Sequence, residues 1–146
     1  MADEPGMIVE RPLPEITPLT EPFWTAAKSH QLVLQRCADC KAYQFPPEVA
    51  CTACGSPNTA WTQVSGRATL YSWTVAYPPL LPYVQKHAPW PVVAVQLEEG
   101  PRMISNLIDV PIEEYRMGLA LEVAFEDIDD EITLVLFRRR REEVGA

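Results

Sequence analysis

Cys37-Ala38-Asp39-Cys40 and Cys51-Thr52-Ala53-Cys54 are two CxxC pairs separated by ten residues. Zn²⁺ takes four thiolates in a tetrahedron, and each CxxC turn presents two of them from one tight knuckle. A chain that leaves one knuckle and returns to the other ten residues later forms a short hairpin, the zinc-ribbon arrangement. With Cys37, Cys40, Cys51 and Cys54 all committed, the site is closed and structural, one zinc per chain, with no position left for water or substrate. Such an ion supplies on the order of 10 kcal/mol of folding free energy to a module too small to bury a core. An iron tetrathiolate shares the geometry and stays open as an alternative. A redox CxxC does not normally come twice in so short a span.

Little else in the chain has the makings of chemistry, and no catalytic residue is expected. There are two histidines. His30 falls at the end of an expected helix and is expected to cap it or lie on the surface, and His87 lies in a proline-rich loop and is expected to be solvated. There is no GxSxG elbow, no HExxH and no phosphate-binding glycine loop. Glu126, Asp127, Asp129, Asp130 and Glu131 lack EF-hand spacing and read as a solvated hairpin tip.

The elements that must position the cysteines follow from local patterning. Five prolines in the first 22 residues predict an extended arm over 1–19. Thr20 as N-cap, Glu21 and Pro22 then open a short helix reaching His30, with Phe23, Ala26 and Ala27 at helical spacing. Gln31 to Arg36 reads as a strand feeding Cys37. This helix and the ribbon occupy 20–64.

From Arg67 the pattern is β. Ala68 to Tyr77, Val92 to Leu97, Met103 to Ile108, Ala120 to Phe125 and Ile132 to Phe137 are five expected strands. Pro111 to Met117 is a helical turn between the third and fourth. That order is the order of an OB-fold barrel, placed over 65–141 with a tail at 142–146. The fold class expected is mainly β: an N-terminal helix and a rubredoxin-like zinc ribbon, then a five-stranded barrel.

The chain has 146 residues and a net charge of -8. The acidity is spread over both parts: 4 basic against 7 acidic residues up to position 64, and 8 against 13 after it. Nucleic-acid binders normally carry a basic footprint, so this balance disfavours nucleic acid as a partner. The acidic, proline-rich start lacks the apolar core of a secretory signal. The longest charge-free run, Ala68 to Gln85, is broken by polar residues and prolines and is no membrane span. A soluble, cytoplasmic protein with no membrane contact is expected, which disfavours disulfides for the four cysteines.

Two places look built for contact. Tyr77 to Pro91 joins five prolines to Leu80, Leu81, Tyr83, Val84 and Trp90, too long and too apolar for an ordinary hairpin loop. It either folds over its own barrel or packs on a partner, as loops between the first two OB strands often bind ligands. Phe23 and Trp24 point about 100° apart on the helix, so one is expected in the core and the other on a contact surface. The run Arg138 to Arg141 reads as a solvated tail, with contact to phosphates as the alternative.

Several pieces together carry a family resemblance: Pro22-Phe23-Trp24, the two knuckles with Phe45 to Pro47 between them, Ser65-Gly66, Tyr71 to Val75, Leu97-Glu98-Glu99-Gly100-Pro101-Arg102 and Phe137-Arg138. Over roughly 20–140 the chain resembles the acyl-CoA-associated zinc-ribbon/OB-fold proteins of the DUF35 family. It departs from their pattern at Ser29-His30, where a helix-ending Gly is common, at Lys41, often Gly, and at Thr52, often Pro. The resemblance implies a small accessory subunit bound to a thiolase-like enzyme (thiolase, acyltransferase or steroid side-chain aldolase), with a MaoC-type enoyl-CoA hydratase as second choice. It implies that the larger partner holds the catalytic residues and that acyl-CoA occupies a shared site. Two rivals remain open at this level. Tyr71, Trp73 and Tyr77 alternate along one strand and could form a stacking platform for single-stranded nucleic acid. Rubredoxin-like electron transfer is the other.

Overall fold

A computed structural model describes residues 11–77 and 81–141 of the chain. Helix α1 (Glu21–Lys28) carries Glu21 in its first turn and Lys28 in its last, both complementing the dipole. Thr20 occupies the N-cap position but its side chain caps nothing, contrary to the sequence expectation. Pro22 removes one of the two N–H groups a cap would satisfy. The Thr20 hydroxyl instead accepts the Thr17 N–H at 2.9 Å, in a turn that delivers the chain into the helix.

The helix ends at Lys28, two residues before the expected limit, in a complete C-terminal cap. The His30 N–H donates to Ala27 O at 2.9 Å and the Gln31 N–H to Ala26 O at 3.0 Å, with His30 left-handed at φ 56°. His30 therefore occupies the position that a helix-ending glycine would take.

Three short antiparallel strands make the ribbon in the order β2-β1-β3: β1 (Val33–Cys37), β2 (Tyr43–Gln44) and β3 (Thr59–Gln63). β1 ends on Cys37, so the strand itself delivers the first ligand. A second sheet has six strands: β4 (Arg67–Ala76), β5 (Trp90–Leu97), β6 (Arg102–Ser105), β7 (Leu107–Ile108), β8 (Ala120–Asp127) and β9 (Thr133–Arg139), in the order β6-β5-β4-β8-β9-β7. All its pairings are antiparallel except β7 with β9. The expected third strand is split at Asn106 into β6 and β7, which form the two edges of the sheet. The ladder is not closed, but the edges sit one residue apart in sequence, and Asn106 O accepts the Phe137 N–H at 3.1 Å. A 3₁₀ turn (Ile112–Glu114) stands where the helical turn was expected. This is the OB-fold strand order.

The core runs through both sheets. Phe23, Ala27, Leu32 and Leu34 from the helix and ribbon join Leu70, Val93, Val95, Leu97, Leu121 and Phe137 in one buried cluster. The long segment after β4 is not featureless: it contains a short helix, α2 (Pro82–Lys86). Among the described residues no helix is long and apolar enough to cross a membrane.

Candidate metal centre and apolar groove

The two knuckles bring the four sulfurs together. All four Sγ atoms lie within 4.8 Å of one another, with Cys37–Cys54 and Cys40–Cys51 each at 3.6 Å. A tetrahedral zinc with Zn–S near 2.3 Å demands sulfur separations of about 3.8 Å, so the donor set fits the ion. Two backbone amides aim at sulfur: Cys40 N–H at Cys37 Sγ, 3.4 Å, and Ala53 N–H at Cys51 Sγ, 3.3 Å. The Cys40 amide is the main cause that draws the Cys37 thiol down to about 6. At Cys54 the Ser56 amide favours the thiolate, but the neighbouring sulfurs and desolvation outweigh it and push the thiol up to about 12. Four thiolates at this spacing need a cation among them. Cys37 and Cys51 are buried, while Cys40 and Cys54 are exposed.

Two glutamines that the sequence reading passed over hold the second knuckle in place. Gln35 and Gln44 face each other from β1 and β2, both buried, and Gln44 Nε2 donates to Gln35 Oε1 at 2.7 Å. Gln35 also takes the Glu48 N–H at 2.9 Å and donates to Glu48 O at 3.0 Å. Gln44 Oε1 accepts the Thr52 N–H at 2.9 Å, one residue from Cys51. Buried amides on paired strands of a small ribbon were a readable signal, since such groups need partners. On the first knuckle, Asp39 accepts from Ser56 and Asn58, with Ser56 the leading cause of its depressed pKa.

A groove of about 440 Å³ lies where the ribbon meets the second sheet. Phe23, Trp24, Tyr83 and Trp90, all contact candidates from the sequence, line it together with Phe45 and Leu136. Phe23 is the buried member of its pair and Trp24 the half-buried one, with rings edge-to-face at 5.0 Å. Leu81 is 60% exposed and is not part of the lining. Leu80 lies outside the described residues. Behind the groove wall His87 stacks on Tyr83 at 4.3 Å, and its Nδ1 donates to Tyr83 O at 2.8 Å, which fixes the tautomer.

Tyr71 and Trp73 do not form a stacking platform. A β-bulge between Leu70 and Ser72 breaks the alternation that the sequence showed. Trp73 pairs with buried Val93 and lies edge-to-face against Tyr115 at 5.9 Å, whereas Arg102 covers Tyr71 at 3.8 Å. His30 is bonded through Nε2 to Asp127 at 3.0 Å and stacks on Phe125, tying the helix cap to β8. The acidic tip is an ordinary capped turn: Asp129 Oδ1 accepts the Glu131 and Ile132 N–H groups, each at 2.8 Å. Among the described residues the four cysteines are the one group placed to hold a metal ion.

A helix-led tetrathiolate ribbon sharing its core with an OB-ordered sheet defines a zinc-ribbon/OB-fold protein. Residues 24–60 match the family model described as ChsH2, rubredoxin-like zinc ribbon domain, and 61–126 match ChsH2, C-terminal OB-fold domain. A DUF35 domain-containing scaffold protein of Pyrococcus furiosus is 36% identical over 95 residues, covering 64% of this chain and 69% of that protein. The solved structure titled Ltp2-ChsH2(DUF35) aldolase superposes with a TM-score of 0.76 at 33% identity, covering 86% of this chain and 98% of that one. The chain belongs to the DUF35 family.

A probable enoyl-CoA hydratase alpha subunit of Thermomonospora curvata is 34% identical over 128 residues, 88% of this chain. A 3-oxo-4,17-pregnadiene-20-carboxyl-CoA hydratase alpha subunit of Mycobacterium tuberculosis is 31% identical over 108 residues. The chain spans 40% and 34% of the length of these two relatives.

Proposed function

We propose that this protein is the accessory zinc-binding subunit of a cytoplasmic acyl-CoA-processing complex. It stabilises a thiolase-fold partner that makes or breaks a carbon–carbon bond, and it helps shape that partner's acyl channel. The supporting observation is the likeness, at 33% identity over 98% of the matched chain, to the structure titled as an aldolase of Ltp2 with ChsH2(DUF35). In this reading Cys37, Cys40, Cys51 and Cys54 hold one structural zinc, which supplies folding free energy and no catalytic step. Trp24, Tyr83 and Trp90 offer the partner an apolar wall, and Leu81 is the exposed contact beside it. The two relatives named as hydratase alpha subunits favour a MaoC-type hydratase partner as the second reading.

Affinity purification of the tagged chain from its own host, under native conditions with mass spectrometry of what stays bound, separates these. A near-stoichiometric thiolase-like protein supports the first reading and a hydratase-like protein the second. Recovery of nucleic acid, or of the chain alone, overturns both.

A further inference from the structure

The two knuckles are built alike, and each divides its cysteines by exposure. In the first, the Lys41 N–H donates to Cys37 O at 3.0 Å, with Lys41 left-handed at φ 67°. In the second, the Gly55 N–H donates to Cys51 O at 2.8 Å, with Gly55 at φ 80°. The leading cysteine of each is also held by its own N–H: Cys37 donates to Ala42 O at 2.9 Å and Cys51 to Ser56 O at 2.8 Å. These two are 1% and 5% exposed, whereas the trailing cysteines, Cys40 and Cys54, stand in solvent. Each knuckle thus shields one sulfur and leaves the other open to small solutes.

The sulfurs at 3.6 Å cross from one knuckle to the other, Cys40 to Cys51 and Cys54 to Cys37. Each pair therefore sets an exposed sulfur against a buried, anchored one. A disulfide needs about 2.05 Å between sulfurs, so either pair closes with a shift of about 1.5 Å. Metal-bound cysteines are thiolates, and susceptibility to oxidation follows thiolate character and exposure. A second sulfur in reach of each exposed one supplies the resolving thiolate.

We infer that the ribbon is a peroxide-responsive modification site, with Cys40 and Cys54 as the attacked sulfurs and Cys51 and Cys37 as their resolving partners. The exposed thiolate attacks one oxygen of hydrogen peroxide and the O–O bond breaks. Sulfur becomes a sulfenic acid, oxidised by two electrons, and the other oxygen leaves as hydroxide. The buried thiolate then attacks that sulfur, the S–S bond forms and the sulfenic hydroxyl leaves as a second hydroxide. Two protons from solvent turn the two hydroxides into water. The joined pair has lost both charges, and the two thiolates that remain are too few for a closed tetrahedral site.

The consequence reaches the groove. Phe45 lies on the stretch between the knuckles, lines the groove and meets the Phe23 ring at 5.5 Å. Pulling the knuckles together shifts that wall. Release of a partner on oxidation rests on the function proposed above; the thiol chemistry does not.

Hydrogen peroxide added to the zinc-loaded full chain tests it, with zinc read by a chromophoric chelator and cysteines by peptide mass mapping. One zinc per chain is expected to leave as Cys40–Cys51 or Cys37–Cys54 cross-links appear, and a dithiol with added zinc is expected to restore the starting state. Dimedone, which traps sulfenic acids, is expected to label Cys40 and Cys54 at least tenfold more than Cys37 and Cys51. Zinc retained at about a hundredfold excess of peroxide overturns the site. So do cross-links confined within one knuckle, or preferential labelling of Cys37 or Cys51. Partner capture by reduced and oxidised chain is read separately, so the thiol site can fail while the subunit reading stands, and the reverse.

Discussion

The Ser65 hydroxyl donates to Glu98 Oε2 at 3.0 Å, and the same carboxylate oxygen accepts from Arg67 Nε at 3.0 Å. Glu99 completes the junction by accepting the Ser65 N–H at 3.1 Å. Two sequence pieces that carried the family resemblance, Ser65-Gly66-Arg67 and the turn from Glu98 to Arg102, are thus the two halves of one contact. It anchors the point where the chain passes from β3 into β4.

This junction is charge-dependent. Hydrogen bonds from Ser65 first, then Arg67, hold the Glu98 carboxyl below its ordinary 4.5. A depressed carboxylate contributes stability that is full above 4.5 and is lost as pH falls through its folded value. Glu98→Gln has none of that to lose. The gap in urea midpoint between wild type and Glu98→Gln is therefore expected to be open at pH 6 and to close toward pH 3. Zinc thiolates protonate in both proteins alike, so the difference isolates Glu98. A gap that stays constant across this range would refute the assignment.

Gly66 faces two constraints at once. Its φ is +79°, and a Cβ there would overlap Val123 Cγ1, because its carbonyl accepts the Val123 N–H at 2.8 Å and draws β8 close. Left-handed strain costs about 1–2 kcal/mol and overpacking a similar amount or more. Gly66→Ala is expected to destabilise by about 2–4 kcal/mol in denaturant unfolding. A loss below about 1 kcal/mol would mean that β8 shifts freely away.

Lys41 and His30 both occupy left-handed backbone, φ 67° and 56°, at positions where the sequence departs from the family's glycine. Lys41 is exposed, and what fixes it is backbone: its N–H donates to Cys37 O at 3.0 Å. Lys41→Gly relieves strain at little cost and is expected to stabilise by about 1 kcal/mol, a rise in Tm of about 3 °C. His30→Gly relieves the same strain but removes the Asp127 bond and the Phe125 stack. Its gain is expected to fall short of that of Lys41→Gly, measured in the same melts.

The zinc prediction follows from how the core is distributed. The second sheet buries Leu70, Val95, Leu121 and Phe137 without help from the knuckles, whereas the segment from Gln35 to Asn58 has the Gln35–Gln44 pair and the metal. Chelation, or Cys40→Ser, is expected to remove one zinc per chain and open the knuckles to trypsin at Lys41, while cleavage at Arg102 stays slow. Gln44→Leu keeps all four sulfurs and leaves Gln35 its two bonds to Glu48, but it removes the acceptor of the Thr52 N–H and the donor to Gln35 Oε1 and Ala50 O. It is expected to speed zinc release at unchanged stoichiometry. Release at the wild-type rate would show that the glutamines do not position the knuckle.

How much of this was legible in the sequence depended on how local the cause was. Knuckle spacing is set within four residues, and the strand order by alternation within each strand, so both could be read directly. The bulge at Tyr71 could not, because the slip is decided by pairing with β5. The Thr20 side chain does not cap because Pro22 takes away a donor, a cause as local as the cap itself. The Ser65–Glu98 junction joins residues distant in sequence, so only the fold shows it. The groove gathers Trp24, Tyr83 and Trp90 from three elements, and the sequence supplied the residues without their meeting place.

The last prediction separates a fold-internal role for the long segment from a partner-facing one. Leu81 is 60% exposed and outside the groove lining, so Leu81→Asp is expected to change stability by less than about 0.5 kcal/mol. Trp90 is half-buried against Tyr83 at 6.0 Å and forms a groove wall, so Trp90→Asp is expected to cost some stability as well. If the segment packs on a partner, an exposed leucine and an aromatic wall are the kind of anchors that carry association, each worth more than tenfold in affinity. Both variants should then keep one zinc per chain and lose the co-purifying subunit. Leu81→Asp is the decisive variant because its fold is undisturbed. Wild-type recovery of the partner with that variant would place the interface elsewhere and leave the segment as a cover for its own sheet.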